Sequence, residues 1–272
     1  VDSGLCNRLR VLISSIGFAE SSNRELFVCW PVTPKWERWP FRRWPVSCRF
    51  EAPLPDLWSG PYTEISVADW EAMLRVEDSV ESLFPPDIQS EAHRIYLTTI
   101  HDFYKILPLP ACEYAKRLKL RTHLQERIDV CRRNWKQCEP SIGVHIRAQQ
   151  AHEKTLNESP VSWFEKRISE LHSQYPNYQY FLSTDSSQVS ARLHERFPGL
   201  ISEQCAPPDY NTREGIEKGV VDLYLLSHTD YILGSYWSSF SYMAAMLQEG
   251  HIGYEDSQMK WGRLPTPTLD MR

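Results

Sequence analysis

The stretch Ser141-Ile-Gly-Val-His145-Ile-Arg147 reads as a strand that ends in a histidine and an arginine, followed by Ala148-Gln-Gln150. A guanidinium at a strand end can hold phosphate oxygens through a bidentate fork. The strand Tyr180-Phe-Leu-Ser-Thr184 ends in Thr184 and Asp185. A carboxylate there can accept two parallel N–H bonds, the arrangement that guanine's N1–H and amino group present. The strand Tyr231-Ile-Leu-Gly234 runs into Ser-Tyr-Trp-Ser238-Ser239, whose last serines open a helix. Hydroxyls and backbone amides at a helix N-terminus suit an anion. Near the start, the turn Gly4-Leu-Cys-Asn7-Arg8-Leu-Arg10 is expected to expose Asn7 and Arg8 from an opposite domain. Together these groups describe a nucleotide diphosphate clamped between two domains.

The absences narrow the chemistry. There is no GxGxxG and no GxxxxGK[ST], so neither a dinucleotide fingerprint nor a P-loop is present. No GxSxG elbow occurs, which disfavours an α/β-hydrolase. No Asp-x-Asp pair occurs, so phosphate stabilisation is expected from arginine and helix ends, with no metal and no cofactor beyond the nucleotide co-substrate.

These residues need elements to carry them. Residues 8–19 place Leu9, Leu12, Ile13, Ile16 and Ala19 on one helical face. Residues 26–30 read as a buried strand stopped by Pro31. Residues 31–61 mix prolines, tryptophans and arginines with neither period, and are expected to form an ordered loop region. Strands are expected over 62–67 and 94–100, and a long helical region over 110–135, clearest at 111–128. Beyond Pro140 the pattern is regular. Strands at 141–147, 178–183, 200–202 and 231–234 alternate with helices at 160–173, 187–196, 212–227 and 238–248. Such alternation implies βαβ units on a parallel sheet, and ligands of such sheets sit beyond the carboxyl ends of the strands. The expected fold is α/β, two Rossmann-like domains facing a cleft. Residues 1–138 would form the N-terminal domain on the acceptor side. Residues 139–272 would form the donor side.

Composition bounds the partners. The chain has 272 residues, enough for one large domain or two ordinary ones. Thirty Lys and Arg against 35 Asp and Glu leave a net charge of −5, which argues against coating a nucleic acid. The apolar runs fall short of the ~18 residues a membrane span needs. Seven cysteines are scattered without CxxC, CxxH or HExxH spacing, so neither a disulfide framework nor a structural zinc site is signalled. A reducing cytoplasm is the simpler expected location. The chain opens at Val1 and enters a helix pattern almost at once, so a few residues are expected to precede it.

The order GLCNRLR, GVHIR, FLSTD and GVVDLYLLSHTDYILGSYWSS resembles the fucosyltransferase superfamily, which includes α-1,6-, nodulation, α-1,2- and protein O-fucosyltransferases. The resemblance covers residues 4–30 and most of 140–248, and implies a GT-B-like fold with metal-independent, inverting transfer from a GDP-sugar. By the same resemblance, Arg147 would grip the donor's β-phosphate and His145 would lie beside the nucleotide. Asp185 would contact guanine, Ser238 and Ser239 would face the phosphates, and Asp222 would be a helix acid near the cleft. Asn7 and Arg8 would face the sugar and the acceptor, a glycan or glycoconjugate. If the chain is eukaryotic and an N-terminal anchor is missing, the resemblance implies a secretory lumen.

The departures are specific. Where the family often reads HxRRxD, this chain has His-Ile-Arg-Ala-Gln-Gln, and Cys6 stands where glycine is usual. An acid some ten residues after the motif histidine serves as base in part of the family, but that offset lands on Thr155. Glu153 and Glu158 flank it, and Glu153, nearer the strand end, is the named candidate base. Two alternatives follow: a transferase using another nucleotide sugar, or a non-catalytic nucleotide- or carbohydrate-binding protein of the same fold.

Each residue also has a plain structural role open to it. Arg147 could pair with a local acid, and His145 could be a hydrogen-bonded core histidine. Asp185, Ser238 and Ser239 could cap helices. Asp222 could pair within its helix, Asn7 could brace its turn, and Glu153 and Glu158 could be a solvated loop face. Trp36, Trp39, Trp44 and Trp58 could stack on a glycan or pack a loop core.

Overall fold

The computed structural model describes residues 4–32, 50–74, 79–82, 94–97, 102–133, 135, 140–149, 153–202, 209, 211–248 and 253–264. The chain divides into two compact units, residues 1–121 with 211–217 and residues 122–210 with 218–272.

In the first unit, α1 (Leu5–Ser21) buries Leu9, Leu12, Ile13 and Ile16, the apolar face that the sequence periodicity marks. Strand β1 (Phe27–Cys29), helix α2 (Leu54–Leu57), strands β2 (Trp58–Ser59) and β3 (Thr63–Ile65) and helix α3 (Val67–Leu74) follow. Then come β4 (Ser79–Ser82), β5 (Arg94–Leu97), α4 (Ala111–Ala115) and β6 (Lys119–Leu120). β1 pairs with β3 and β4 with β5, both in parallel, while β2 and β6 are antiparallel. Helix α1 lies so close to α4 and the segment before it that a Cβ on Gly17 would stand 2.9 Å from the Tyr114 ring and 2.6 Å from Leu107 Cδ1. Only glycine permits that approach.

Two expectations need correcting here. Residues 110–135 are not one helical region, because β6 separates α4 from α5 (Thr122–Arg132). Pairing of Trp58 with Leu120 overrides the local helical pattern. Residues 31–61 are not loop throughout, because α2 and β2 lie within them, and Trp58 of β2 is fully buried beside Trp30, with ring centroids 6.4 Å apart, which fits the core-packing role left open for it. Trp36, Trp39 and Trp44 lie outside the described residues.

The second unit is built on one six-stranded sheet. After α5 come β7 (Ser141–Ile146), α6 (Glu153–Glu158), α7 (Val161–Gln174), β8 (Gln179–Thr184), α8 (Ser187–Arg196) and β9 (Leu200–Ile201). Then follow α9 (Arg213–Ser227), β10 (Tyr231–Leu233), α10 (Ser239–Leu247), β11 (Gly253–Glu255) and β12 (Lys260–Trp261). The strand order is β12-β11-β10-β7-β8-β9, parallel throughout except for the β11–β12 hairpin. Every residue of β7 and β10 is buried, as expected of central strands covered on both faces. Ile142, Val144, Phe164, Ile168, Leu171, Leu182 and Leu233 form the core between sheet and helices. Strands β8 and β9 follow β7 on one side, whereas β10 and β11 lie on the other. The order therefore reverses between β7 and β10. That switch point is where an open parallel sheet leaves a crevice at its carboxyl edge.

Candidate functional site

The site is assembled at the reversal, where the ends of β7 and β10 meet. Ser235, just past β10, donates its hydroxyl to the His145 carbonyl at 3.1 Å and accepts from the Arg147 amide at 2.9 Å. One fully buried hydroxyl thus stitches the two strand ends together. The Ser235 amide in turn donates to Ser241 Oγ at 3.1 Å, which ties the first turn of α10 to the same point. Gly234 makes this possible. A Cβ there would stand 2.6 Å from the Tyr254 hydroxyl and 2.8 Å from Ser241 Cβ.

Arg147 emerges from β7 with its side chain 27% exposed, and its Nη1 lies 3.1 Å from Asp185 Oδ2. The contact is an ion pair without hydrogen-bond alignment. Asp185 is 8% exposed at its side chain, and its Oδ1 accepts from the amides of Ala148 and Gln149 at 2.7 and 3.0 Å. Both oxygens are therefore turned to the β7 loop and its arginine. Asp185 does not cap the next helix, since Ser186 does so by accepting from the Val189 amide. Its work is to fix the loop after β7 and orient Arg147.

His145 is buried. Its Nδ1 lies 2.6 Å from Ser241 Oγ, and its ring stacks on Phe240 at 4.7 Å. Burial, and then the nearby Arg147 charge, push its pKa down to about 3, so the ring is neutral at ordinary pH. Tyr254 also touches Ser241, and its hydroxyl donates to Asp256 Oδ2 at 3.0 Å. A neutral, packed imidazole braces α10.

Asp222 lies one layer deeper. Its Oδ2 accepts from Ser183 Oγ at 2.8 Å and from Lys218 Nζ at 2.7 Å, one turn back on α9. Its Oδ1 is buried with no partner among the described residues. Because Ser183 pairs in register with His145, this buried pair supports β8 just before Asp185.

Ser238 is the N-cap of α10 in an extended conformation, and Ser239 is the first helical residue. The Ser238 hydroxyl makes no capping bond. The end of α10 that follows the β10 loop therefore offers amides and hydroxyls to an anion. Glu153 is exposed at the first position of α6, Glu158 accepts from Gln258 Nε2, and Thr155 between them is buried. Both glutamates stand on a short helix, not on a loop as the plain structural alternative had it.

In the first unit, Asn7 and Arg8 lie within α1. The expectation that Arg8 is exposed needs correcting. It is fully buried, donates Nη1 to the Pro31 carbonyl at 2.9 Å, and lies 4.0 Å over the Phe50 ring and 5.2 Å from that of Trp30. Among the described residues no group of three or more His, Cys, Asp or Glu converges as a metal site, and no helix is long and apolar enough to cross a membrane.

Sequence reasoning missed Ser235, Ser241, Ser183 and Lys218. The serine-rich run 235–241 was a signal, but only the order of the strands shows which hydroxyls face β7.

The chain matches no protein-family model and no curated protein by sequence. Solved structures, by contrast, match along nearly its whole length. Fucosyltransferase NodZ from Bradyrhizobium is 20% identical, with TM-score 0.63, covering 95% of this chain and 94% of that one. NodZ α-1,6-fucosyltransferase soaked with GDP-fucose is 18% identical, with TM-score 0.60, over 91% and 90% of the two chains. A variant of Arabidopsis thaliana FUT1 in complex with GDP is 14% identical, with TM-score 0.59, over 94% and 68%.

The fold is that of the fucosyltransferases.

In that fucosyltransferase fold, the four motifs of the sequence fall on β7, β8, the β10–α10 corner and the first helix.

Proposed function

We propose that the protein is a glycosyltransferase that moves a sugar, fucose from GDP-fucose, onto a hydroxyl of a glycan or glycoconjugate. The observation that carries this reading is Arg147, held by Asp185 and Ser235 at the switch point of a parallel sheet. NodZ soaked with GDP-fucose supports the choice of donor. In the reading, the two units correspond to the Rossmann-like domains of a GT-B-like enzyme, with the donor on the second.

The Arg147 guanidinium and the amide-bearing end of α10, with Ser238 and Ser239, stabilise the negative charge that grows on the departing diphosphate. The sugar passes through an oxocarbenium-like state, and the acceptor hydroxyl attacks from the opposite face, inverting the anomeric carbon. Charge stabilisation by a guanidinium and a helix end makes the transfer metal-independent. The acceptor's proton goes to a base, for which exposed Glu153 is the candidate, or to the diphosphate itself. A second reading, a binding protein that keeps the fold without turnover, is favoured by Thr155, buried where a family acid is expected.

Thermal shift with GDP, UDP and ADP, followed by GDP release from GDP-fucose in the presence of EDTA, tests the reading. Stabilisation by GDP alone and release unaffected by EDTA are expected. Binding without release would favour the second reading, and no nucleotide binding would overturn the transferase and leave only a sugar-binding module.

A further inference from the structure

Trp237 stands out at the β10–α10 corner. Its φ is 62°, a left-handed conformation that is an outlier for so bulky a residue, and it is 63% exposed. The loop around it is pinned at consecutive points. The Ser235 amide and hydroxyl bind Ser241 and His145, the Tyr236 amide donates to Ser159 Oγ at 2.8 Å, and the Ser238 amide returns to the Ser235 carbonyl at 3.1 Å. The strain is thus over-determined by its surroundings, the condition under which strained backbone persists at functional positions. From α6, Lys154 places its ammonium 4.2 Å from the Trp237 ring centroid and 5.3 Å from that of Tyr236, which restrains the indole further. The fold therefore holds a large aromatic ring outward, in one orientation, one residue before the N-cap of α10.

We propose that Trp237 is a stacking platform for a pyranose ring of the acceptor. The inference rests on the transferase reading, in which the donor's diphosphate sits at the neighbouring Ser238. An exposed, rigid indole gives a sugar's C–H face a large apolar contact at little entropic cost. Its position beside Ser238 brings an acceptor ring next to the bond being broken. A nucleobase could stack on the same ring, and the test separates the two.

Trp237→Gly removes the ring and suits the positive φ, while Trp237→Phe keeps an aromatic face. Wild type and both variants are compared by melting temperature, by GDP calorimetry, and by binding to an array of oligosaccharides ending in N-acetylglucosamine, galactose, mannose or xylose. Trp237→Gly is expected to melt no lower than wild type and to bind GDP within about twofold, yet to lose oligosaccharide binding by at least about tenfold, with Trp237→Phe intermediate. An equal loss of GDP affinity in Trp237→Gly assigns the ring to the donor base and overturns the proposal. So does unchanged oligosaccharide binding, or a wild-type protein that binds GDP but no oligosaccharide. Failure of wild type to bind GDP would instead count against the transferase reading, leaving the oligosaccharide comparison to judge Trp237.

Discussion

Asp185 holds Arg147 from the next strand of the sheet: Oδ2 faces the guanidinium at 3.1 Å while Oδ1 takes the two amides that follow it. The pair gives a partly exposed arginine one direction. Asp185→Ala should cost about 2 kcal/mol, since it strips a charged acceptor from two loop amides. Asp185→Asn keeps Oδ1 as an acceptor and should cost less. Urea unfolding of the two variants measures the difference.

Gly234 is the close-approach point of the β10–α10 corner. Gly234→Ala puts a methyl 2.6 Å from the Tyr254 hydroxyl and should destabilise by roughly 1–3 kcal/mol through overpacking. Gly199, where a Cβ meets nothing within 4 Å, is the control, and Gly199→Ala should be close to neutral. Thermal melts of the two proteins provide the comparison.

His145 predicts a pH dependence with a definite sign. Its folded pKa of about 3 lies below the ordinary 6.5, so between those values the unfolded state binds the extra proton. Its contribution is complete above pH 6.5 and is lost as the pH falls towards 3, with a slope approaching about 1.4 kcal/mol per pH unit. His228, lowered mainly by burial, acts in the same direction. Stability of His145→Asn should therefore fall less steeply between pH 6.5 and 4 than that of wild type, with a residual slope. Parallel curves would remove His145 as the source.

Arg8 is a buried cation in the core of the first unit, its guanidinium over the Phe50 ring and beside the Trp30 ring that meets Phe50 edge-on. Arg8→Ala should cost roughly 3 kcal/mol, from a lost charged hydrogen bond and lost packing. Arg8→Lys should recover only part, because an ammonium has no planar face for the rings. Denaturant midpoints at fixed pH check the ranking.

Much of the second unit was legible in the sequence because its strands and helices carry distinct periods. Residues 187–196 form a helix over those bounds, and 141–146 a strand one residue shorter than expected. What periodicity cannot encode is the order of strands. It is that order that sets β10 beside β7 and gives Ser235 and Ser241 their partners. Asp185 shows a second limit: the sequence does not reveal that a strand-end carboxylate takes two amides of the neighbouring loop. Arg8 shows a third. An arginine in a first turn suggests exposure, and only the convergence of Trp30 and Phe50 from later in the chain reveals the cage that buries it. The first unit was read least well because its short strands pair across long separations, as Trp58 does with Leu120.

Calorimetric titration of GDP into the wild-type protein and into Arg147→Ala tests the central claim most directly. The account predicts saturable binding to wild type and a loss of at least about tenfold, ~1.4 kcal/mol, in the variant. Equal affinities, or no binding to wild type, would contradict it.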